Sequence, residues 1–232
     1  INYDSDEQKV EVKDKVFHYA DASQKKVDYD FLKIRSKTDS TNAVLNMRDN
    51  SMTISGVPRV EFSKIQKVGV LPVGDQIHLR PNRNMDFDGK LFAGYAVLEG
   101  KDYHFDYEKF QIVLDSVRYF DLFVPTDQLD ENNQPIAYSI GSRIEHLNGI
   151  LLIDAPNNKS GQEDIVIFPS LQTKADSYVF YDIDTSQAKI YPRDSFYFRV
   201  VPFSFNHLDR FTAKDIQFKG ELHSADIFPD FK

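Results

Sequence analysis

Residues 43–91 read AVLNMRDNSMTISGVPRVEFSKIQKVGVLPVGDQIHLRPNRNMDFDGKL, and their apolar side chains recur in twos. Met52 and Ile54 precede Gly56, Val60 and Phe62 follow Pro58, Val68 and Val70 precede Pro72, and Ile77 and Leu79 precede Pro81. Successive side chains of a strand point to opposite faces, so this period puts each pair on one face. Short runs rich in Val, Ile and Phe, punctuated by Gly, Pro, Asn and Asp, read as strands. The residue before each proline is pushed to extended geometry, which suits a strand end. Apolar centres recur every seven to ten residues, the rhythm of an all-β sandwich, barrel or solenoid.

The same period extends outward. Val10, Val12, Val16, Phe17, Phe31, Leu32 and Ile34 continue it towards the N-terminus. Residues 106–117 come nearest to a helical pattern, yet Phe110, Ile112 and Leu114 alternate and suit a strand. A short helical turn near Glu61 to Lys67 is the one helical reading retained. Asp49-Asn50-Ser51 is a turn, because short Asx and Ser side chains bond the local backbone. Residues 106–109 (DYEK) fit a turn between Tyr103–Phe105 and Phe110–Leu114. The most polar stretch, 127–134 (DQLDENNQ), reads as an exposed loop or boundary. It separates a β-rich region 1–126, which opens on an extended segment, from a polar loop 127–135 and a β-rich region 136–232 continuing the same array. Residues 154–161 (DAPNNKSG) form a second polar loop. An internal similarity aligns Phe87, Gly89, Leu91 and Ala93 with Phe218, Gly220, Leu222 and Ser224. Spaced by two, each set shares one strand face. The match fits a duplicated, layered architecture and chance equally well.

The chain has 232 residues, with 28 Lys+Arg against 36 Asp+Glu and a formal charge of −8. At 41% hydrophobic and 28% charged it is too apolar for a disordered tail and too charged for a membrane-embedded protein. Without cysteine there is no disulfide scaffold, thiolate zinc site, Fe–S cluster or cysteine nucleophile. The longest apolar stretches, such as Ile150–Ile153, fall far below the ~18 residues that span a bilayer. A chain that starts at Ile1 without an export signal reads as a processed protein or an excised piece. The acidic balance argues against a nucleic-acid partner, which needs clustered Lys and Arg. Lys25-Lys26 and the alternation Lys33, Arg35, Lys37 are interrupted by Asp28, Asp30 and Asp39, and read as a solvated strand face.

Standard catalytic signatures, from phosphate loops to G-x-S-x-G and H-E-x-x-H, are missing, so no catalytic residue, metal ligand or cofactor is assigned. The six histidines have no pair at a usual ligand spacing. His104, Asp106 and Glu108 would share a face on a straight strand, but the apolar phase changes between Tyr107 and Phe110, and a turn there breaks the row. Asp127, Asp130 and Glu131, and separately Asp182 and Asp184, read as solvated turns. Aromatics are the remaining candidates. Tyr178 and Phe180 share one strand face while Val179, Tyr181 and Ile183 share the other, and Tyr191, Phe196, Tyr197 and Phe198 crowd both. Aromatic strands usually fill cores, but a face left outside can stack on a sugar or a partner. Tyr178, Tyr181 and Tyr191 are therefore the ligand-binding candidates. Asn158-Lys159-Ser160 matches a glycosylation acceptor, a triplet that chance often produces.

Residues 87–114, 147–161, 177–182 and 218–231 resemble, in order, parts of very large, uncharacterised, β-rich bacterial proteins that are exported or envelope-associated. The N-terminal 40 residues take no part. The resemblance implies a piece of an elongated β assembly flanked by further β regions, and supplies no catalytic residue. The expected fold is all-β with little helix, a parallel β-solenoid or stacked-layer array ahead of an antiparallel β-sandwich. The expected function is a non-catalytic structural or adhesive module of an exported or cell-envelope protein. Its alternatives are a carbohydrate-binding or carbohydrate-cleaving β-helix, and a protein-interaction domain of an envelope or secretion assembly.

Overall fold

The computed structural model describes residues 32–182 and 191–225, and the strand backbones of 2–4, 9–12 and 16–18. In chain order the strands are β1 (Asn2–Asp4), β2 (Lys9–Val12), β3 (Val16–His18), β4 (Lys33–Arg35), β5 (Ala43–Asn46), β6 (Ser51–Ser55), β7 (Val60–Ser63), β8 (Val68–Pro72) and β9 (Gln76–Leu79). There follow β10 (Met85–Ala93), β11 (Ala96–Asp106), β12 (Gln111–Leu129), β13 (Pro135–Ser139) and β14 (Ile144–Leu152). The last are β15 (Ser170–Thr173), β16 (Ser177–Phe180), β17 (Phe196–Val200), β18 (Ser204–Phe205) and β19 (Gly220–Ser224). Among the described residues helix is limited to three 3-10 turns. The helical reading near Glu61–Lys67 is corrected: β7 runs to Ser63 and a turn over 64–67 leads into β8.

The fold is one open antiparallel sheet. It matches the sandwich alternative and overturns the parallel solenoid. The physical reason lies in the connections. Gly94 and Tyr95 alone join β10 to β11, and residues 107–110 join β11 to β12. Such short links can only reverse the chain, whereas a parallel neighbour needs a crossover of a dozen or more residues. Side chains alternate identically in both arrangements, so the period of two could not decide between them. The repeat frame also separates. Residues 85–93 form one continuous strand with alternate residues buried, but 216–219 precede β19, which pairs with β17 alone.

Four long strands, β10, β11, β12 and β14, form the centre, and each is bent at an irregularity. The register slips between Phe87 and Gly89, between Glu99 and Gly100, and between Leu114 and Val117. These slips line up, because Gly89 pairs with Gly100, Gly100 with Val117, and Val117 with Leu147. Bulges kink a strand and raise its twist, so the aligned row folds the sheet over. Gly100 is required there, since a Cβ would press on Ser116 O and sit 2.9 Å from Val117 Cα. Beyond the bend each edge forks. One half continues through β9, β6, β5, β2 and β1 on one side and β15 and β18 on the other. The second half continues through β8, β7, β4 and β3, and through β16, β17 and β19.

The inner faces of the two halves meet. Phe62 of β7 lies 4.8 Å from Phe105 and 5.7 Å from Phe87, and Phe105 contacts Phe110 at 6.0 Å and Tyr107 at 6.3 Å, edge to face. Leu91, Leu98, Ile112, Leu114, Leu151 and Leu171 complete this core. β18 and the segment after it close it, with Phe205, Leu208 and Phe211 buried and Phe211 edge-on to Tyr95.

Candidate functional site

The three tyrosines singled out by sequence do not form one platform. Register places Glu145, Tyr178, Arg199 and Glu221 in one cross-strand row, and Phe180, Tyr197 and His223 in the next. Both rows lie on one face of β14, β16, β17 and β19, while Ile144, Val179, Phe198 and Leu222 take the opposite face. Tyr178 lies 6.1 Å from Phe180 and 5.8 Å from Tyr197, and Tyr197 stacks on His223 at 4.6 Å. His146, in a left-handed conformation, adds its ring edge-on to Tyr178 and Phe180. The result is an aromatic face of which Tyr178 and Tyr197 are half-buried. Tyr181 and Tyr191 instead gather around Phe196, at 5.3 and 4.6 Å. That split follows the alternation read from sequence. Ile183 and Asp184 lie outside the described residues.

Arg193 pins the aromatic face. Its guanidinium lies 4.0 Å from the centre of the Phe180 ring, donates to Glu145 at 2.7 and 3.1 Å, and donates to Asp182 at 2.7 and 3.0 Å. These hydrogen bonds hold the Asp182 carboxyl below the usual carboxylate range. Asp182 is thus half of a clamp rather than a solvated turn residue. Arg193→Ala is expected to cost about 1–2 kcal/mol, with Arg193→Lys recovering less than half, because an ammonium cannot serve two carboxylates bidentately. Denaturant unfolding of the three proteins measures this.

A second place is polar. A cleft of about 610 Å³ is lined by His78, Arg80, Asp86, Asp88, Asp102 and His104. The Asp86 carboxylate meets His104 Nδ1 at 2.6 Å and accepts from Arg80 Nε at 2.6 Å. Burial pushes its pKa up, but the His104 and Arg80 hydrogen bonds outweigh that and hold it low. The expected turn does break the row of His104, Asp106 and Glu108: Asp106 faces back to Lys109, and the partner of His104 comes from β10. Asp130 accepts the N–H groups of Asn132 and Gln134 in a hairpin turn. Among the described residues no group of three His, Asp or Glu side chains is placed to hold a metal.

The third place was not legible in the sequence. Lys33, Arg35 and Lys37 line a cleft of about 770 Å³ together with Arg59, Lys64 and Lys159, and Glu61 is the one acidic side chain among its described lining residues. Its far wall is the 154–161 loop. Asp154, 2% exposed, accepts from Gln66, Asn158 and the Ala155 N–H, and Asn158 also bonds Glu163 through both ends of its amide. Asn158 is therefore buried and committed, and the glycosylation triplet is not offered to solvent.

The described residues form an open antiparallel β fold with three candidate surface sites. Set against protein-family models, curated proteins and solved structures, the chain matches none. No helix among the described residues is long and apolar enough to cross a membrane.

Proposed function

We propose that the chain is a non-catalytic adhesive module of a larger exported or cell-envelope protein, and that its aromatic face holds a glycan. One observation carries this reading: Tyr178 and Tyr197 meet edge to face on one sheet face, 5.8 Å apart, and neither hydroxyl has a hydrogen-bond partner among the described residues. Two half-buried rings set at 72° form an apolar corner for the C–H groups of a sugar, and their hydroxyls serve its polar edge. The Arg193 clamp fixes Phe180 beside them, so little ordering remains to be done on binding. The resemblance of residues 87–114, 147–161, 177–182 and 218–231 to large β-rich bacterial proteins supports the exported setting.

A protein partner is the second reading. Leu129 and Tyr138 of the β12–β13 hairpin and Ile140 just after it are exposed, and exposed apolar side chains suit contact with another chain.

The 232-residue chain on a glycan array is expected to retain a ligand without shortening it. Tyr178→Ala and Tyr197→Ala should each weaken retention by about tenfold. New reducing ends, or variants that bind like the parent, would sink the proposal.

A further inference from the structure

We infer that the cleft between β4, β7 and the 154–161 loop is a binding site for a short anionic oligosaccharide bearing carboxylate or sulfate groups. It is separate from the aromatic face and does not depend on it.

The charge distribution is the first ground. The chain is acidic overall, at −8, and elsewhere Arg80, Arg118 and Arg143 each pair with one carboxylate and three further arginines with two. Arg193 bridges Glu145 and Asp182, Arg199 bridges Asp176 and Glu221, and Arg210 bridges Asp164 and Asp209. In the cleft the pattern reverses. Lys33, Arg35, Lys37 and Lys64 make no ion pair among the described residues, and Arg59 has only a loose contact of 3.8 Å with Glu61. Like charges gathered with Glu61 as the one acidic side chain among the described lining residues repel, and an external anion would relieve that repulsion.

Shape and chemistry narrow the ligand. Ile34 and Ser36 point inward, which sets Lys33, Arg35 and Lys37 in an exposed row about 13 Å long. Such a row asks for several anionic groups rather than one. The volume of about 770 Å³ is that of a small-ligand site. Pro58, Ile65 and the aliphatic stems of the lysines supply apolar surface for ring C–H groups. The wall is preformed, because buried Asp154 ties the 154–161 loop to Gln66 in the turn after β7.

Two other polyanions fit less well. An extended acidic peptide would bind by adding a strand, but β4 is already paired on both sides, to β3 and β7. A single-stranded nucleic acid needs stacking surfaces, and Phe62, the one aromatic among the described lining residues, is 3% exposed.

The test uses the 232-residue chain and fluorescently labelled probes: tetragalacturonate, a sulfated tetrasaccharide, a neutral tetrasaccharide, tetraglutamate and an oligothymidylate. Anisotropy is read at low and high salt. The inference expects at least one anionic saccharide to bind, salt-sensitively, and the neutral one to bind at least about tenfold more weakly. Arg35→Glu combined with Lys37→Glu should weaken binding about tenfold or more, whereas the charge-matched control Lys101→Glu combined with Lys174→Glu, both exposed and outside the cleft, should leave it within about twofold. Circular dichroism checks that each variant is folded. Equal loss in the control, tighter binding of tetraglutamate or oligothymidylate, or no saccharide binding by the folded chain would overturn the inference. Because no cleft residue touches Tyr178 or Tyr197, their alanine variants should bind the anionic probe like the parent, which separates this site from the aromatic one.

Discussion

Gly94→Ala should lower stability by about 3–4 kcal/mol and the unfolding midpoint by roughly 10 °C. Gly94 is the first residue of the two-residue loop joining β10 to β11, with φ of +59°. That sign of φ at the first loop position is what tight hairpins ask of glycine. The second reason is space. A Cβ there would sit 2.5 Å from the Asp209 backbone nitrogen and closer still to Leu208 O and Asp209 Cα. The Gly94 N–H donates to Lys67 O, and the Tyr95 N–H donates to Leu208 O at 2.7 Å. A methyl group would lift the segment that carries Leu208 and Phe211 off the central sheet. Gly74 separates the two effects, since its φ is +65° but its Cβ would meet nothing within 4 Å. Gly74→Ala should therefore cost only the backbone strain, about 1 kcal/mol. Calorimetric or denaturant unfolding of both variants decides the matter. A Gly94 variant no worse than the Gly74 variant would show that the 205–211 segment does not depend on this contact.

Phe105→Ala should cost about 3–5 kcal/mol, because the ring is fully buried where the two halves of the sheet meet. Its neighbours, Phe62 on β7 and Tyr107 and Phe110 in the turn after β11, are each held by their own backbone and cannot collapse together into the void. Phe105→Leu keeps most of the volume and should cost less than half as much. The expected signature in urea is a lower midpoint with an unchanged slope. A loss below about 1 kcal/mol for the alanine variant would contradict the described packing.

What the sequence disclosed was local. The pairs Met52/Ile54, Val60/Phe62, Val68/Val70 and Ile77/Leu79 all fall on strands, and Asp49 caps its turn by accepting from the Ser51 N–H and hydroxyl. Alternation also sorted Tyr178 and Tyr181 onto opposite faces. Pairing was hidden, because a strand's own pattern does not say which neighbour it takes or in which direction. His104 meets Asp86, 18 residues away, through hairpin register and not through the nearby Asp106. The basic cleft was hidden for the same reason. Lys33, Arg35 and Lys37 look like a solvated face until β7 and the 154–161 loop bring Arg59, Lys64 and Lys159 beside them. Asp154 and Asn158, polar by composition, prove buried because each satisfies the other.

The aligned bulges carry one last implication. Since β10, β11, β12 and β14 each cross the crease, either layer owns only part of four shared ribbons of backbone. Neither layer can peel away and leave its counterpart standing, so the central sheet must melt as a single cooperative unit, and damage at the crease is felt on both sides at once.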